Sequence, residues 1–175
     1  MTILPVFTYP DPILKQKSAK VEVVDASLKK LMDNMLSTMY HDNGVGLAAV
    51  QVGVLKRIIV MDLQNDDEVA RPKGFYPLYL INPELTYTST EKTSANEACL
   101  SVPEQYVEVV RSENIKVKFI DYDNKPCELE ASGWLARVIQ HEMDHLDGKL
   151  LIDHLSSLKK DIAIRKLKKL KKHSM

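Results

Sequence analysis

Cysteine is scarce in this sequence, and long apolar runs are missing. The chain of 175 residues has two cysteines, Cys99 and Cys127. Two thiols are too few for a disulfide framework, which favours a reducing compartment where a thiol stays available for a metal or for chemistry. No run approaches the roughly 20 apolar residues that cross a bilayer, and residues 1–11 lack the basic and apolar regions of a signal peptide. We therefore expect a cytoplasmic protein with no membrane partner.

The chain also lacks net charge, because 24 basic residues balance 24 acidic ones. This balance conceals an asymmetry. Residues 156–175 contain eight basic residues and one acidic residue, Asp161, so this tail carries +7 and the rest of the chain −7. A basic block of this kind is either a solvated helix face or a surface that docks on an anionic partner such as RNA. The sequence leaves both interpretations open.

Hydrophobic periodicity predicts helices near both ends of the chain and strands between them. The first helix starts at an N-cap, Asp25, and runs to Tyr40, where Asn43-Gly44 is a stop signal before a Gly-containing loop that continues to Gln51. Strands are predicted at 57–62, 78–82, 107–110, 115–121 and 127–130, and a polar surface loop at 64–73. A second helix is predicted from 132 to 146, ending near Gly148, and a basic helix from 156 to 172.

This order of elements predicts one α+β domain, residues 1–175. Antiparallel strands should pack around the second helix, with an amphipathic helix before them. The basic helix or tail, 156–175, should follow at the C-terminus.

The most informative segment is His141-Glu142-Met143-Asp144-His145, an H-E-x-x-H pattern within the second helix. Four residues make just over one helical turn, so the two histidines project from one face and can bind one divalent ion. Glu142 would stand beside that ion, where it can take a proton from water and pass it to a leaving amine. Burying such polar groups without a metal or partners would be costly.

A catalytic site of this type needs a third protein ligand and an open position for water. The extended metalloprotease pattern requires a histidine at 151, where this chain has Leu151. Downstream, Asp153, His154 and Asp161 are the remaining candidates before the basic tail. Upstream, Cys99 offers a soft thiolate that suits Fe(II), Zn or Co(II).

Three segments together resemble the signature segments of bacterial-type peptide deformylases, in the family's order and approximate spacing. They are residues 44–51 (GVGLAAVQ), 97–101 (EACLS) and 140–148 (QHEMDHLDG). The resemblance implies that Cys99, His141 and His145 hold one divalent metal ion per chain. Fe(II) is the expected native ion, with Zn, Ni or Co(II) as substitutes. It also implies that Glu142 is the general base and acid.

The resemblance further implies an oxyanion hole made by Gln51 and the backbone N–H of Leu100. The substrate would be the N-formyl-methionine end of a nascent chain, extended along Val45, Gly46 and Ala98 by strand addition. Helix geometry independently puts Trp134 and Val138 on the metal-facing side, where they would line the methionine pocket. By resemblance the basic tail would dock on the ribosome, and no DNA partner is expected.

Three positions depart from the family's usual pattern. Ala98 replaces a glycine, and its added methyl group would disfavour positive φ and crowd the peptide, so we expect an altered substrate fit. Tyr106 stands where arginine or glycine is common. Arg137 replaces an apolar pocket residue, so it either contacts the peptide at the pocket mouth or extends to solvent, and we expect the solvated position.

Two other functions remain open from the sequence. One is a zinc endopeptidase that uses the same H-E-x-x-H helix. The other is a noncatalytic protein that binds RNA or the ribosome through its basic tail and uses the metal for stability. A structural site would be closed by four protein ligands, and the sequence supplies three good ones.

Overall fold

The computed structural model describes residues 1–174, which have the predicted α+β class. Its helices are α1 (Ala26–His41), α2 (Gly133–Leu146) and α3 (Ser157–Ser174). Its strands are β1 (Gly46–Ala48), β2 (Ile58–Met61), β3 (Leu78–Thr88), β4 (Lys92–Glu97), β5 (Val107–Ser112), β6 (Asn114–Ile120) and β7 (Pro126–Ser132). None of the helices in the described chain is long and apolar enough to cross a membrane.

Five strands form an antiparallel sheet in the order β1-β2-β3-β6-β7, and β4 pairs with β5 in a separate two-stranded sheet. Every residue of β2 is buried, because helices cover both faces of the larger sheet. Ile58 and Val60 pack in the cluster that contains the α1 methionines, whereas Ile59 and Met61 pack in the cluster that contains the apolar residues of α2. Since α2 also contacts β5, it lies between the two sheets. The H-E-x-x-H segment is therefore held in the interior.

The predicted ends of the first two helices are confirmed. Asp25 caps α1, its Oδ1 atom accepting the Leu28 N–H at 2.9 Å, and such a cap contributes about 1 kcal/mol. Asn43 follows with a φ of 58°. Beyond α2, Gly148 has a φ of 74°, and a Cβ there would collide with the carbonyl oxygen of Lys15. Glycine is required at this position, which ends the helix that carries the two histidines.

Two strands were not predicted. Residues 46–51, expected to be loop, form β1 and most of a short 3-10 helix, Ala49–Val52. β4 has the polar sequence KTSANE, and Glu97 is its one buried residue. It is stabilised by backbone pairing with β5 along its full length rather than by an apolar face, so its sequence carries no alternating pattern. β3 also extends six residues beyond the predicted end, to Thr88.

The basic C-terminal helix is present and is docked on the domain. Ala163 and Leu167 of α3 are buried in a cluster with Leu14, Val107 and Ile152. Lys171 donates a hydrogen bond to the carbonyl oxygen of Thr8 at 2.8 Å. The remaining basic side chains lie mostly on the exposed side of α3.

Candidate metal centre and active site

Cys99, His141 and His145 converge, although the thiol and the nearer histidine are 42 positions apart in the chain. One ligand atom from each lies within 4.8 Å of the other two, and Cys99 Sγ is 3.3 Å from His145 Nε2. In a tetrahedral site with metal–sulfur bonds of about 2.3 Å and metal–nitrogen bonds of about 2.0 Å, sulfur and nitrogen lie roughly 3.5 Å apart. The three side chains therefore fit one shared divalent ion.

The electrostatics of the cluster also suit a metal. Burial would raise the pKa of the Cys99 thiol, but the positive charges of His145 and His141 and their hydrogen bonds hold that pKa well below its ordinary value. The thiolate is the form that binds metal ions. One thiolate and two imidazoles form a donor set that accepts Fe(II), Zn, Co(II) or Ni.

Glu97 orients one of the two histidines. Its Oε1 atom accepts the Nδ1–H of His141 at 2.8 Å, which leaves Nε2 of that ring to face the ion. Arg111 donates to both oxygens of Glu97, at 2.7 and 2.9 Å, and Arg137 donates to Oε2 at 2.6 Å. Burial alone would raise the pKa of Glu97, but the hydrogen bonds from His141 and Arg111 lower it to about 2. Glu97 is thus a buried, ionised carboxylate next to the metal centre.

Glu142, the residue predicted to accept a proton, is buried close to the metal cluster. It is 4% exposed, and its Oε1 atom has no hydrogen-bond partner within residues 1–174. Its other oxygen packs against Gly46, where an added Cβ would lie 2.5 Å from Oε2. Burial raises the pKa of Glu142, because the charged form loses its solvation. The side chain can therefore take up a proton and hold it.

Gln51 is fixed in one orientation beside the thiol. Its Oε1 atom accepts the backbone N–H of Ala48 at 3.0 Å, so the Nε2 group faces the opposite way. Nε2 donates to Ser101 Oγ at 3.0 Å and lies 3.6 Å from Cys99 Sγ. Since the amide nitrogen has two hydrogens, one remains directed at the metal centre. This orientation places a side-chain N–H donor beside the metal cluster.

A cavity of about 440 Å³ opens beside these residues. The predicted site residues that line it are Val45, Gly46, Gln51, Ala98, Cys99, Leu100, Trp134, Arg137, Val138, His141 and Glu142. His145 is 1% exposed and does not line the cavity, but it belongs to the metal cluster. The cavity wall also includes residues that were not predicted to belong to the site, namely Asn43, Gly44, Asp66, Glu97, Pro103 and Glu104. Apart from Glu97 on β4 and Asp66 in a short 3-10 helix, Gln64–Asp66, they are loop residues, and no periodic pattern marks them.

One expectation at the cavity needs correction. The solvated position of Arg137 is wrong: the residue is 4% exposed, and its guanidinium group is bonded within the protein. Ala98 lies outside the left-handed region, so its methyl group causes no backbone strain, and the altered substrate fit stays a prediction. Tyr106 is 78% exposed and does not line the cavity.

The downstream candidates for the third ligand are engaged elsewhere. Asp153 pairs with Lys160 at 2.7 Å. His154 Nε2 lies 3.0 Å from Asp144 Oδ2. Neither residue belongs to the cluster around the two histidines, nor does Asp161, which is exposed on α3. This arrangement supports the upstream thiol as the third ligand.

Comparison with known proteins gives one consistent family. The family model described as polypeptide deformylase matches residues 3–161. A peptide deformylase of Rickettsia canadensis is 61% identical over 98% of both chains, and one of Orientia tsutsugamushi is 51% identical over 98% of this chain and 97% of its own. A crystal structure of peptide deformylase from Ehrlichia chaffeensis in complex with actinonin has a TM-score of 0.90 and 46% identity, covering 97% of this chain and 98% of that one. The chain belongs to the peptide deformylase family.

Proposed function

We propose that the protein is a metal-dependent hydrolase that removes the formyl group from the N-terminal methionine of nascent polypeptides and releases formate. The observation that carries this proposal is the meeting of Cys99, His141 and His145 beside the buried Glu142 at a cavity. The family membership favours this reaction over endopeptidase activity. Because two of the three ligands line the cavity, the centre also has the open side that a purely structural site would lack.

Cys99, His141 and His145 would hold the ion. A bound divalent ion would supply Lewis acidity, polarising the formyl carbonyl group and lowering the pKa of water. We propose Fe(II) as the native ion, with Zn, Ni and Co(II) as substitutes that the same ligands accept. Metal analysis of protein purified without oxygen tests this choice, and stoichiometric zinc without iron would contradict it.

Glu142 is the proposed general base and acid. Its buried carboxylate takes a proton from the attacking water and delivers it to the nitrogen that leaves with the peptide. Gln51 Nε2–H and the backbone N–H of Leu100 are the proposed donors to the oxygen of the formyl group as negative charge develops there. Each residue thus has one task, which separate variants can test.

Replacing Gln51 with alanine should lower kcat for formate release by about 10²- to 10³-fold, because one donor to the developing oxyanion is lost. The KM and the metal content should change little, since Gln51 does not hold the ion. Ser101→Ala is the matched control, because it removes the hydrogen-bond partner of Nε2 at 3.0 Å but keeps the donor. An equal loss in both variants would show that Gln51 acts only through local structure.

The peptide is proposed to lie extended between Val45-Gly46 and Ala98. β1 is the edge strand of the five-stranded sheet, so it can accept another strand by backbone pairing. The methionine side chain would enter the cavity between Leu100, Trp134 and Val138, all of which line it. Arg137 also borders this cavity, but its guanidinium group donates to Glu97, Val109 and Thr93 rather than to the peptide.

The test of the overall function is formate release from a formyl-Met-Ala-Ser peptide by protein loaded with Fe(II) without oxygen. We expect turnover on the formylated peptide and no cleavage of casein. Casein cleavage would favour the endopeptidase. The absence of both activities in fully loaded protein would favour the noncatalytic alternative.

The chain is proposed to act as one catalytic domain in the cytoplasm, where nascent chains emerge, with α3 docking on the ribosome. The support is the exposed row Arg165, Lys166, Lys168, Lys169 and Lys172, which suits an RNA phosphate backbone. Truncation is a poor test, because Ala163 and Leu167 of α3 belong to the core.

Charge reversal of exposed α3 residues tests the docking instead. Ribosome co-sedimentation at low salt should fall in a triple variant with glutamate at Lys166, Lys169 and Lys172. It should persist in a matched triple variant with glutamate at the exposed Lys20, Lys30 and Lys73. Equal binding by both variants would contradict the role of α3.

A further inference from the structure

We propose that Arg137 is a positioning residue for the metal ligand His141, acting through Glu97. The inference rests on the metal centre proposed above. Arg137 stands where the family commonly has an apolar pocket residue, and the sequence alone gives no reason for this difference. The side chain of Arg137 does not reach solvent. Most of its N–H donors also point away from the cavity. Its guanidinium group is instead built into the support of His141.

The guanidinium group of Arg137 is almost fully committed to protein acceptors. Nη1 donates to Glu97 Oε2 at 2.6 Å and to the Val109 carbonyl oxygen at 2.8 Å. Nη2 donates to the carbonyl oxygen of Thr93 at 2.8 Å and to its hydroxyl group at 3.2 Å. These contacts use four of the five N–H donors of an arginine. Arg137 therefore joins α2 to β4, through Glu97 and Thr93, and to β5, through Val109.

Arg137 and Arg111 hold the carboxylate of Glu97 from different directions. Arg111 also donates to Asp144 Oδ2 at 3.0 Å, so its charge is shared between two carboxylates. Arg137 pairs with Glu97 alone among the acidic residues of the described chain. Two guanidinium groups and two carboxylates give a group with no net charge, in which Arg111, Arg137 and Glu97 are buried and Asp144 is partly exposed. Removing Arg137 leaves Glu97 and Asp144 with a single arginine between them, and Oε2 with one donor instead of two.

His141 depends on the direction of that carboxylate. Oε1 of Glu97 accepts the Nδ1–H of His141, which fixes the tautomer and turns Nε2 toward the ion. A carboxylate that rotates or moves would let the imidazole ring turn and would spoil its fit to the ion. Loss of such a support around a metal ligand typically lowers metal affinity or activity by 10- to 100-fold.

The experiment compares wild type, Arg137→Leu and Arg137→Lys as Co(II)-loaded proteins. Arg137→Leu should raise the Kd for Co(II) by about 10- to 100-fold and alter the visible absorption bands that report the geometry around Co(II). The kcat for formyl-Met-Ala-Ser should fall while its KM stays within about twofold, because Arg137 acts on the metal ligand rather than on the peptide. Arg137→Lys should give a smaller rise in Kd, since it keeps the charge and one donor to Glu97.

Arg71→Leu is the matched control, because Arg71 is another largely buried arginine in an ion pair, with Asp67 at 3.0 Å, and it has no contact with Glu97 or His141. Its Kd for Co(II) and its spectrum should match those of wild type. An Arg137→Leu protein with the wild-type Kd and spectrum would overturn the proposal, as would a raised KM with an unchanged Kd. If Arg137→Leu does not fold, Arg137→Lys decides: an unchanged Kd and spectrum overturn the proposal.

The same measurements separate this inference from the proposed function. Wild-type Co(II) protein that binds the ion but releases no formate would refute the deformylase reaction. The Kd and the absorption spectrum would still show whether Arg137 positions His141.

Discussion

Replacing Glu142 with glutamine should lower kcat/KM for formate release by about 10²- to 10⁴-fold, the contribution of a general acid and base. Glutamine has nearly the same shape, so the packing against Gly46 should survive, but it cannot take a proton from water. The metal content should stay at the wild-type value, because Glu142 is not one of the three converging ligands. Steady-state kinetics with metal analysis of the same preparation measures both.

Gly46→Ala disturbs the same carboxylate without changing it. Its Cβ would lie 2.5 Å from Glu142 Oε2 and 3.0 Å from Cγ, so the side chain must move. Activity should fall here too, with the ion retained.

Glu142→Gln protein with more than a tenth of the wild-type activity at full metal content would contradict the role of Glu142, and another proton acceptor would have to be sought.

The parts of the fold and site that follow from local spacing were predictable. The i, i+4 placement of His141 and His145 needs only helical geometry, and the Asp25 cap and the stop at Gly148 depend on residues within one turn of a helix end. The third ligand was harder. Cys99 could be chosen over the downstream candidates only because three ordered segments resemble one family. The separation of Cys99 from the two histidines along the chain does not by itself show that they meet in the fold.

The hydrogen bonds that support the metal ligands could not be predicted from local spacing. Arg111 occupies an inward-facing position of β5, in step with Val107 and Val109. A charge at such a position signals a buried partner, but nothing local identifies that partner as Glu97. Arg137 lies on the apolar face of α2, so it likewise indicates a buried partner. Its partners lie on β4, a strand that the sequence pattern does not predict, and on β5, so the interpretation as a solvated side chain failed.

Replacing Cys99 with alanine should abolish stoichiometric metal binding and lower formate release by more than about 10²-fold, a larger loss than removing a residue that only supports a ligand. Two imidazoles remain, but the soft thiolate that selects and holds the ion is gone. The loss should also appear in stability. Added ion at 100 times its Kd stabilises the wild type by about 2.7 kcal/mol, and this increment should vanish in the variant.

Cys127→Ala is the matched control for that variant. Cys127 is the other free, half-buried cysteine, and its thiol contacts Asp121 at 3.5 Å rather than the histidine pair. It should keep the full metal content, the activity and the stabilisation by added ion. Metal analysis and thermal unfolding with and without ion distinguish the two variants. If Cys99→Ala kept one tightly bound ion per chain, the two histidines would have to recruit another ligand, and the thiolate would not be the residue that makes this a metal centre.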